Sequence, residues 1–184
     1  MTRAPYMIDP GKAVQQRLFA EEGLNVFAVL DGASIPDLLD RLYGLLPKFE
    51  CLYPGDLEPD IAEVAPYIVQ LRLESEFTTW VIDRGWGRHW GLFAASSSDF
   101  AAMRRHFRSL LTLHDSGGTP MRFRYYDPTV LRRYLPTCRA DELSTMFGPV
   151  SCYLLEAADP GILLRFYLGD SGSLARNEVL LERD

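Results

Sequence analysis

Apolar residues along this chain follow two different periods, and segments of the two kinds alternate. Short continuous apolar runs, such as 26–30, are typical of strands buried on both faces. Between these runs, apolar residues recur every three or four positions, which is typical of helices with one buried face. The pattern predicts strands at 25–30, 49–53, 67–71 and 90–95, and helices at 10–22, 34–46, 74–84 and 98–111. The first 150 residues therefore predict an α/β layer with a mixed central sheet flanked by helices.

The segment 121–131 joins a strand pattern directly to a helix start. In an extended strand its two faces would carry different side chains, namely Phe123 with Tyr125, and Arg122 and Arg124 with Tyr126. Asp127 suits the N-cap of a helix, and Pro128 suits the first helical position, where its missing N–H costs nothing. We predict a strand with two arginines on one face, followed at once by a capped helix over 129–134.

Beyond a further predicted helix at 140–147, the pattern indicates strands alone. Residues 151–157 and 162–168, joined by a turn at 159–161, predict a β-hairpin, and 177–181 predict a third strand. We place a boundary near Gly148-Pro149, which gives an α/β domain over 1–149 and a C-terminal β-hairpin extension over 150–184. The extension is either an addition at the edge of the sheet or a small second lobe.

Charge narrows the classes of partner. The net charge of −6 disfavours general binding to nucleic acid or to an anionic membrane. Between residues 98 and 139, eight arginines stand against three aspartates, so this window carries +5 and the rest of the chain −11. Seventeen of the nineteen basic residues are arginine, the cation enriched at protein–protein interfaces. An arginine-rich genome would explain the overall bias, whereas the local cluster favours a carboxylate-bearing protein surface.

The compartment follows from what the sequence lacks. No apolar run approaches the roughly 20 residues of a membrane span, and the first six residues contain no apolar signal segment. We therefore expect a cytoplasmic protein with no membrane partner. Cys51, Cys138 and Cys152 stand far apart in no metal or redox spacing, and we interpret them as reduced thiols.

Motifs for catalysis are weak. Residues 169–173, Gly-Asp-Ser-Gly-Ser, resemble the nucleophile region of trypsin-like proteases, but that mechanism also needs a histidine base on a large double barrel. We interpret them as a hairpin loop. Residues 85–87 lack the spacing of a dinucleotide fingerprint. His106 and His114 lie eight positions apart without a third ligand. We predict no catalytic site, no cofactor and no metal.

Two exposed surfaces are candidates for recognition. Trp86 is flanked by glycines, with Arg88 just beyond, and we expect its ring to be exposed. On the helix at 98–111, three arginines form a basic stripe opposite the apolar face: Arg104, Arg105 and Arg108. This stripe is either a solvated face or a docking surface for an acidic partner.

Four sequence blocks, in order, resemble those of one family. They are Phe27-Ala28-Val29-Leu30-Asp31-Gly32-Ala33, then Leu52-Tyr53 with Ala65-Pro66-Tyr67-Ile68-Val69, then Trp90-Gly91 with the helix at 99–111, and finally the segment 122–131. Together they cover about residues 25–150. Through these blocks the chain resembles the domain-of-unknown-function 4123 (DUF4123) family, the effector chaperones or adaptors of the bacterial type VI secretion system.

The resemblance implies a function in recognition. Members are implied to bind a specific toxic effector, by its N-terminal segment, and to deliver it to the VgrG spike protein of the secretion machine without catalysis. Arg122 or Arg124 would then grip an effector carboxylate while an aspartate holds the guanidinium. Alternatively, Arg124 and Asp127 form a structural pair at the turn. Asp31-Gly32 would shape the turn after the first strand, because glycine permits positive φ.

Two other classes of function stay open from the sequence. The first is an immunity-type inhibitor, which would block the active domain of a toxin. The second is a small enzyme with an unrecognised site, for which a deep pocket with convergent polar groups would be the structural sign.

Overall fold

The computed structural model describes residues 10–114 and 117–181. Nine strands run through these residues: β1 Asn25–Asp31, β2 Lys48–Cys51, β3 Pro66–Leu71, β4 Gly91–Ser96, β5 Thr112–His114, β6 Pro120–Arg122, β7 Cys152–Glu156, β8 Ile162–Leu168 and β9 Leu174–Leu180. Seven of them form one sheet in the order β2-β3-β1-β4-β7-β8-β9, and β5 pairs with β6 in a separate two-stranded sheet. The predicted α/β class, with a central sheet, is confirmed.

The described pairings are all antiparallel, whereas the sequence predicted a mixed sheet. Strands that alternate with helices often become parallel neighbours. In this fold the chain passes from β3 through a helix to β4, and these two strands do run parallel to each other. They are not neighbours, however, because β1 lies between them and pairs antiparallel with both.

Helices cover both faces of the sheet. They are α1 Pro10–Leu18, α2 Leu38–Leu45, α3 Pro59–Val64, α4 Glu76–Gly85, α5 Phe100–Ser109, α6 Pro128–Tyr134 and α7 Ala140–Phe147, with short 3-10 turns at Gly32–Ser34 and Leu135–Thr137. The buried side chains of α1, α2 and α4 pack on one face, and those of α5, α6 and α7 on the other. None of the helices in the described ranges has the length and apolarity needed to cross a bilayer.

β1 is buried on both faces at the centre of these layers, as its apolar run predicts. Phe27 and Val29 point towards α5 and α7, while Val26, Ala28 and Leu30 point towards α1, α2 and α4. All five side chains are at most 3% exposed. This strand therefore carries its last residue, Asp31, into the interior of the protein.

Two predicted helix starts are wrong in detail. The second helix begins at Leu38, because residues 32–34 form a separate 3-10 turn capped by Asp31, so Ser34 is not its N-cap. The N-cap of α5 is Asp99, whose carboxylate accepts a hydrogen bond from the first turn, and not Ser98. At α5 a carboxylate thus takes the capping role that the sequence assigned to a serine, whereas the N-cap of α2, Asp37, makes no side-chain capping hydrogen bond.

The C-terminal strands extend the central sheet at one edge. β7 pairs with β4, and β8 and β9 follow outward, so the predicted hairpin is present as an edge addition. β9 starts at Leu174, earlier than the predicted 177. The domain boundary near Gly148-Pro149 stays a prediction. Residues 1–9 and 182–184 lie outside the described residues.

Candidate functional site

A buried carboxylate marks the end of β1. Asp31 is 1% exposed, and its oxygens accept hydrogen bonds from the Ala33 amide at 3.2 Å and the Ser34 hydroxyl at 2.7 Å. The third donor is the Arg124 guanidinium, whose Nη2 lies 2.6 Å from Asp31 Oδ2. A buried carboxylate needs such partners, since burying it unpaired is costly. The strand end, the turn and the arginine are therefore held together as one unit.

Gly32 is required by close packing and not by its backbone angles. It is absent from the positive-φ residues, so the sequence-based explanation is wrong. A Cβ at this position would lie 2.5 Å from the Ala65 carbonyl oxygen and 2.6 Å from that of Glu63. The Gly32 amide also donates to Ala65 at 3.1 Å. The missing side chain lets the backbone after β1 lie directly against the C-terminal end of α3.

The segment 121–131, the signature segment, which contains the two signature arginines Arg122 and Arg124, is shorter as a strand than its sequence predicts. β6 ends at Arg122, and the chain then turns, with the Asp127 amide donating to the Arg124 carbonyl at 3.1 Å. The two-residue alternation therefore stops, and Tyr125 and Tyr126 are both buried, at 0% and 4% exposure, with rings edge to face. The prediction that Phe123 and Tyr125 share one strand face, and Arg122, Arg124 and Tyr126 the other, is wrong because the strand ends at Arg122.

The helix start predicted at the end of this segment is confirmed. Asp127 is the N-cap of α6, accepting a hydrogen bond from the Thr129 amide at 2.8 Å, and Pro128 occupies the first turn. The proposed pairing of Arg124 with Asp127 is wrong, because the Arg124 guanidinium pairs with Asp31 instead. The aspartate that holds this arginine thus comes from the first sequence block and not from the signature segment.

A groove of about 470 Å³ opens beside the signature segment. Its walls are aromatic and aliphatic side chains, one threonine and two arginines: Tyr53, Pro54, Leu57, Ile61, Leu111, Thr112, Arg122, Phe123, Arg124 and Tyr126. The Arg122 guanidinium lies over the Tyr53 ring at 5.4 Å, and that of Arg124 over the Tyr126 ring at 5.8 Å. Burial, and then the neighbouring Tyr53, raise the pKa of Tyr126 to about 12, so its hydroxyl stays protonated. The groove thus combines an apolar floor with cationic groups at its surface.

Arg108 holds the opposite wall of the groove in place. Its guanidinium donates to three successive backbone carbonyls, those of Cys51 (3.2 Å), Leu52 (3.1 Å) and Tyr53 (3.2 Å). These carbonyls lie where β2 ends and the groove wall begins. Arg108 is therefore a positioning residue for Tyr53, and the prediction that it stands free on a docking stripe is wrong.

The remaining arginines of the predicted stripe differ from each other. Arg104 pairs with Glu50 of β2 at 3.1 Å and is half-buried, so it too is used within the fold. Arg105 is exposed. The stripe therefore does not present three free cations, because two of its members reach across to the neighbouring strand.

The comparisons with known proteins give one match. The model of the family described as "Domain of unknown function (DUF4123)" matches residues 26–145, more than half of the chain. The chain belongs to the DUF4123 family. The match runs from β1 into α7, so it includes every residue of the groove and both members of the Arg124–Asp31 pair. No curated protein matches the chain, and neither does any solved structure.

Trp86 and Arg88 lie within the DUF4123 match but do not line the groove. The expectation that the Trp86 ring is exposed is wrong. Its indole is half-buried, stacks on Phe93 at 6.2 Å, and donates to the Pro160 carbonyl at 2.7 Å. Trp86 thereby fixes the β7–β8 turn against the loop after α4. Arg88 is exposed and lines a separate surface concavity that also contains Trp80 and Trp90.

Glu156 is a buried charged residue that the sequence did not single out. Its carboxylate accepts the amides of Gly87 (2.5 Å) and His89 (2.9 Å) and lies 2.5 Å from His89 Nδ1. Burial raises the pKa of Glu156, while these hydrogen bonds oppose the rise. Its donors belong to the loop after α4, so Glu156 ties that loop to the sheet. Among the described residues, no three His, Cys, Asp or Glu side chains come together as metal ligands.

The groove wall opposite the signature segment was missed from the sequence. The sequence pattern predicts no helix or strand between the strands at 49–53 and 67–71, but Pro59–Val64 is a short helix that places Ile61, 43% exposed, in the groove. Pro59 at the first helical position, followed by Asp60 in the first turn, is a helix-start signal that would have found it. For Glu156, a lone carboxylate in an apolar strand was the available signal.

Proposed function

We propose that this DUF4123 chain is a cytoplasmic adaptor that binds a type VI secretion effector and helps to load it onto the VgrG spike protein. It acts by protein–protein recognition and not by catalysis. The groove beside the signature segment takes up the N-terminal segment of the effector. The observation that carries the proposal is that both signature arginines, Arg122 and Arg124, border one apolar groove inside the family match.

The lining of the groove favours a peptide with apolar anchors and a carboxylate. Aliphatic and aromatic walls such as Leu57, Ile61 and Phe123 offer contacts for hydrophobic side chains. Arginine and tyrosine are the residue types that most often dominate the binding energy of protein interfaces. Both types stand here at the groove surface, which suits a partner whose carboxylate enters beside its apolar side chains.

The two signature arginines have different roles in this proposal. Arg124 is already paired with the buried Asp31, so much of its charge is used to stabilise the fold. Within the described ranges, no carboxylate pairs with Arg122, whose guanidinium lies against the Tyr53 ring. We therefore assign to Arg122 the contact with the effector carboxylate, and to Arg124 the positioning of the segment that carries it.

Binding of this kind stabilises an effector by mass action. An adaptor that binds only the ordered form of a segment stabilises that form by about 2.7 kcal/mol when its free concentration exceeds Kd a hundredfold. The effector is thereby kept competent for loading while its toxic domain remains outside the complex. An immunity-type inhibitor would instead cover the active domain of the toxin.

The test is capture from the native bacterium with this chain as tagged bait, followed by mass spectrometry and an activity assay of the prey. The proposal predicts recovery of a toxin together with the spike protein, and a toxin that retains its activity in the complex. Recovery of an inactivated toxin without the spike would contradict it in favour of an immunity protein. An empty bait would contradict it as well and direct the search to small-molecule substrates.

A further inference from the structure

The sheet ends at β9, and the outer edge of this strand is long. In the described part of the chain, β9 pairs with β8 alone. At its two ends, the Gly169 amide donates to the Ser173 carbonyl, and the Leu181 amide donates to the Gly161 carbonyl. These two bonds show which residues of β9 are hydrogen-bonded to β8. Antiparallel ladders alternate, so the odd-numbered residues bond inward to β8. The backbone groups of the even-numbered residues face outward: Leu174, Arg176, Glu178 and Leu180.

The opposite edge of the sheet differs in this respect. There the Arg108 guanidinium bonds the carbonyls of Cys51 and Tyr53 and so covers the end of β2. Edge strands are commonly shielded in this way, because a row of unpaired amides and carbonyls is a template for another strand. No comparable side chain from the described residues covers the outer edge of β9.

The side chains along this edge are self-complementary. Their order is Leu174, Arg176, Glu178, Leu180, which is symmetric about Asn177 if arginine and glutamate are treated as complements. We propose that two copies of this chain pair through β9, antiparallel and centred on Asn177, to form one continuous sheet. Arg176 then lies opposite Glu178 of the second copy, and Leu174 lies opposite Leu180 of the second copy.

The exposed state of these side chains fits that pairing. Arg176 and Glu178 are 52% and 53% exposed and lie 3.0 Å apart on the same face, and Leu180 is 60% exposed. In the pair, each guanidinium gains a second carboxylate, and each exposed leucine gains an apolar neighbour. Opposite charges and apolar pairs directly across two strands stabilise a sheet, whereas like charges destabilise it.

The same residues also exclude the neighbouring registers. A shift by one residue would oppose outward-facing backbone groups to inward-facing ones. A shift by two in one direction places Arg176 opposite Arg176 of the second copy, and a shift in the other direction places Glu178 opposite Glu178. Only the register centred on Asn177 pairs both charges and both leucines favourably. The outer edge of β9 lies at the opposite end of the sheet from β2, where the wall of the groove begins. The proposed pairing therefore does not depend on the proposed function.

The test is sedimentation velocity on the full chain, of 20.9 kDa, over a wide concentration range. The proposal predicts a concentration-dependent dimer of twice that mass. Arg176→Glu alone and Glu178→Arg alone turn two attractive cross-strand pairs into repulsive ones, and each raises the dimer Kd by about tenfold or more. The double variant restores opposite charges and returns Kd towards that of the original chain. Arg105→Glu, on the exposed face of α5, is the control and leaves Kd unchanged.

Cross-linking at the symmetry centre tests the register separately. In the proposed pair, Asn177 lies opposite Asn177 of the second copy, at a non-hydrogen-bonded position. The two Cα atoms at such a position lie about 4.5 Å apart, within the range for a disulfide. Asn177→Cys then gives a covalent dimer under mild oxidation, and Arg105→Cys does not. A chain that stays monomeric at its highest soluble concentration overturns the proposal. So does a dimer that the single charge reversals leave intact, or one that the double variant does not restore.

Discussion

The guanidinium of Arg124 lies 2.6 Å from the carboxylate of Asp31, although the two residues are 93 positions apart in the chain. Asp31 ends the central strand and is buried, whereas the Arg124 side chain is 55% exposed. The pair therefore joins the interior of the sheet to the surface of the groove. Through it, the first and last of the four family blocks form one structural unit.

This arrangement predicts different costs for the two signature arginines. Arg124→Ala leaves the buried carboxylate of Asp31 without its cationic partner, and we expect a loss of about 1–2 kcal/mol in the free energy of unfolding. Arg122→Ala removes a surface contact with a ring, and we expect a change within about 0.5 kcal/mol. Urea unfolding of both variants measures the difference. Equal losses would contradict the assignment of Arg124 as the positioning residue.

Arg108 and Arg105 form a second matched pair, three positions apart on α5. Arg108→Ala removes three hydrogen bonds to the carbonyls of residues 51–53, and we expect it to cost about 1–3 kcal/mol. Arg105 is exposed, and its replacement by alanine is expected to change stability by less than about 0.5 kcal/mol. The midpoints of chemical unfolding of the two variants, compared with that of the original chain, measure these two changes in stability. If both arginines instead stood free on the helix surface, both substitutions would leave the stability unchanged.

Replacement of glycine by alanine is expected to change the stability in opposite directions at two positions. Gly32→Ala brings a Cβ within 2.6 Å of two backbone oxygens, and such overpacking costs about 1–3 kcal/mol. Gly44 lies in α2, where an added Cβ would meet nothing within 4 Å, and Gly44→Ala is expected to stabilise the chain by about 0.5–1 kcal/mol. Thermal unfolding gives the sign of each change. A neutral Gly32→Ala would show that the contact with residues 63–65 relaxes.

His106 predicts a pH dependence of stability. Its ring nitrogen lies 3.1 Å from the Met146 carbonyl oxygen, and burial lowers its pKa below the ordinary 6.5. The unfolded chain therefore binds a proton more readily than the folded one. The contribution of His106 is complete above pH 6.5 and is lost as the pH falls through the lower pKa of the folded state.

The measurement is urea unfolding of the original chain and of His106→Gln at about pH 7.5 and about pH 5.5. We expect the stability advantage of the original chain to shrink towards low pH, by at most about 1.4 kcal/mol per pH unit for this single group. A difference that is the same at both pH values would mean that His106 titrates alike in the folded and unfolded states.

The fold was predictable wherever one period extended over a whole element. The run at 26–30 gave β1, and Asp127-Pro128 gave the start of α6, because both signals are local. The order of the strands was not predictable in this way. Whether β1 lies between β3 and β4 depends on which strands pair, and pairing is set by tertiary packing and not by the periodicity of either segment.

The candidate site was predictable in its signature half alone. Arg122, Arg124 and Tyr126 line one groove, but so does Phe123, which the sequence places on the opposite strand face. The sequence offers the nearby Asp127 as one candidate partner for Arg124, whereas the fold supplies Asp31 from a distant strand. In the same way, Arg104 and Arg108 were assigned to an open surface, since the sequence does not show that β2 lies beside α5.

We propose that the groove beside Arg122 holds the effector, and quantitative capture with two charge-reversed baits tests this proposal. Arg122→Glu and Arg105→Glu both replace an exposed arginine, but only the first lies in the groove. Each is compared with the original chain at equal amounts of folded bait, as measured by circular dichroism. We expect Arg122→Glu to lose the effector while Arg105→Glu retains it. Full retention by Arg122→Glu, or equal loss from both baits, would contradict it.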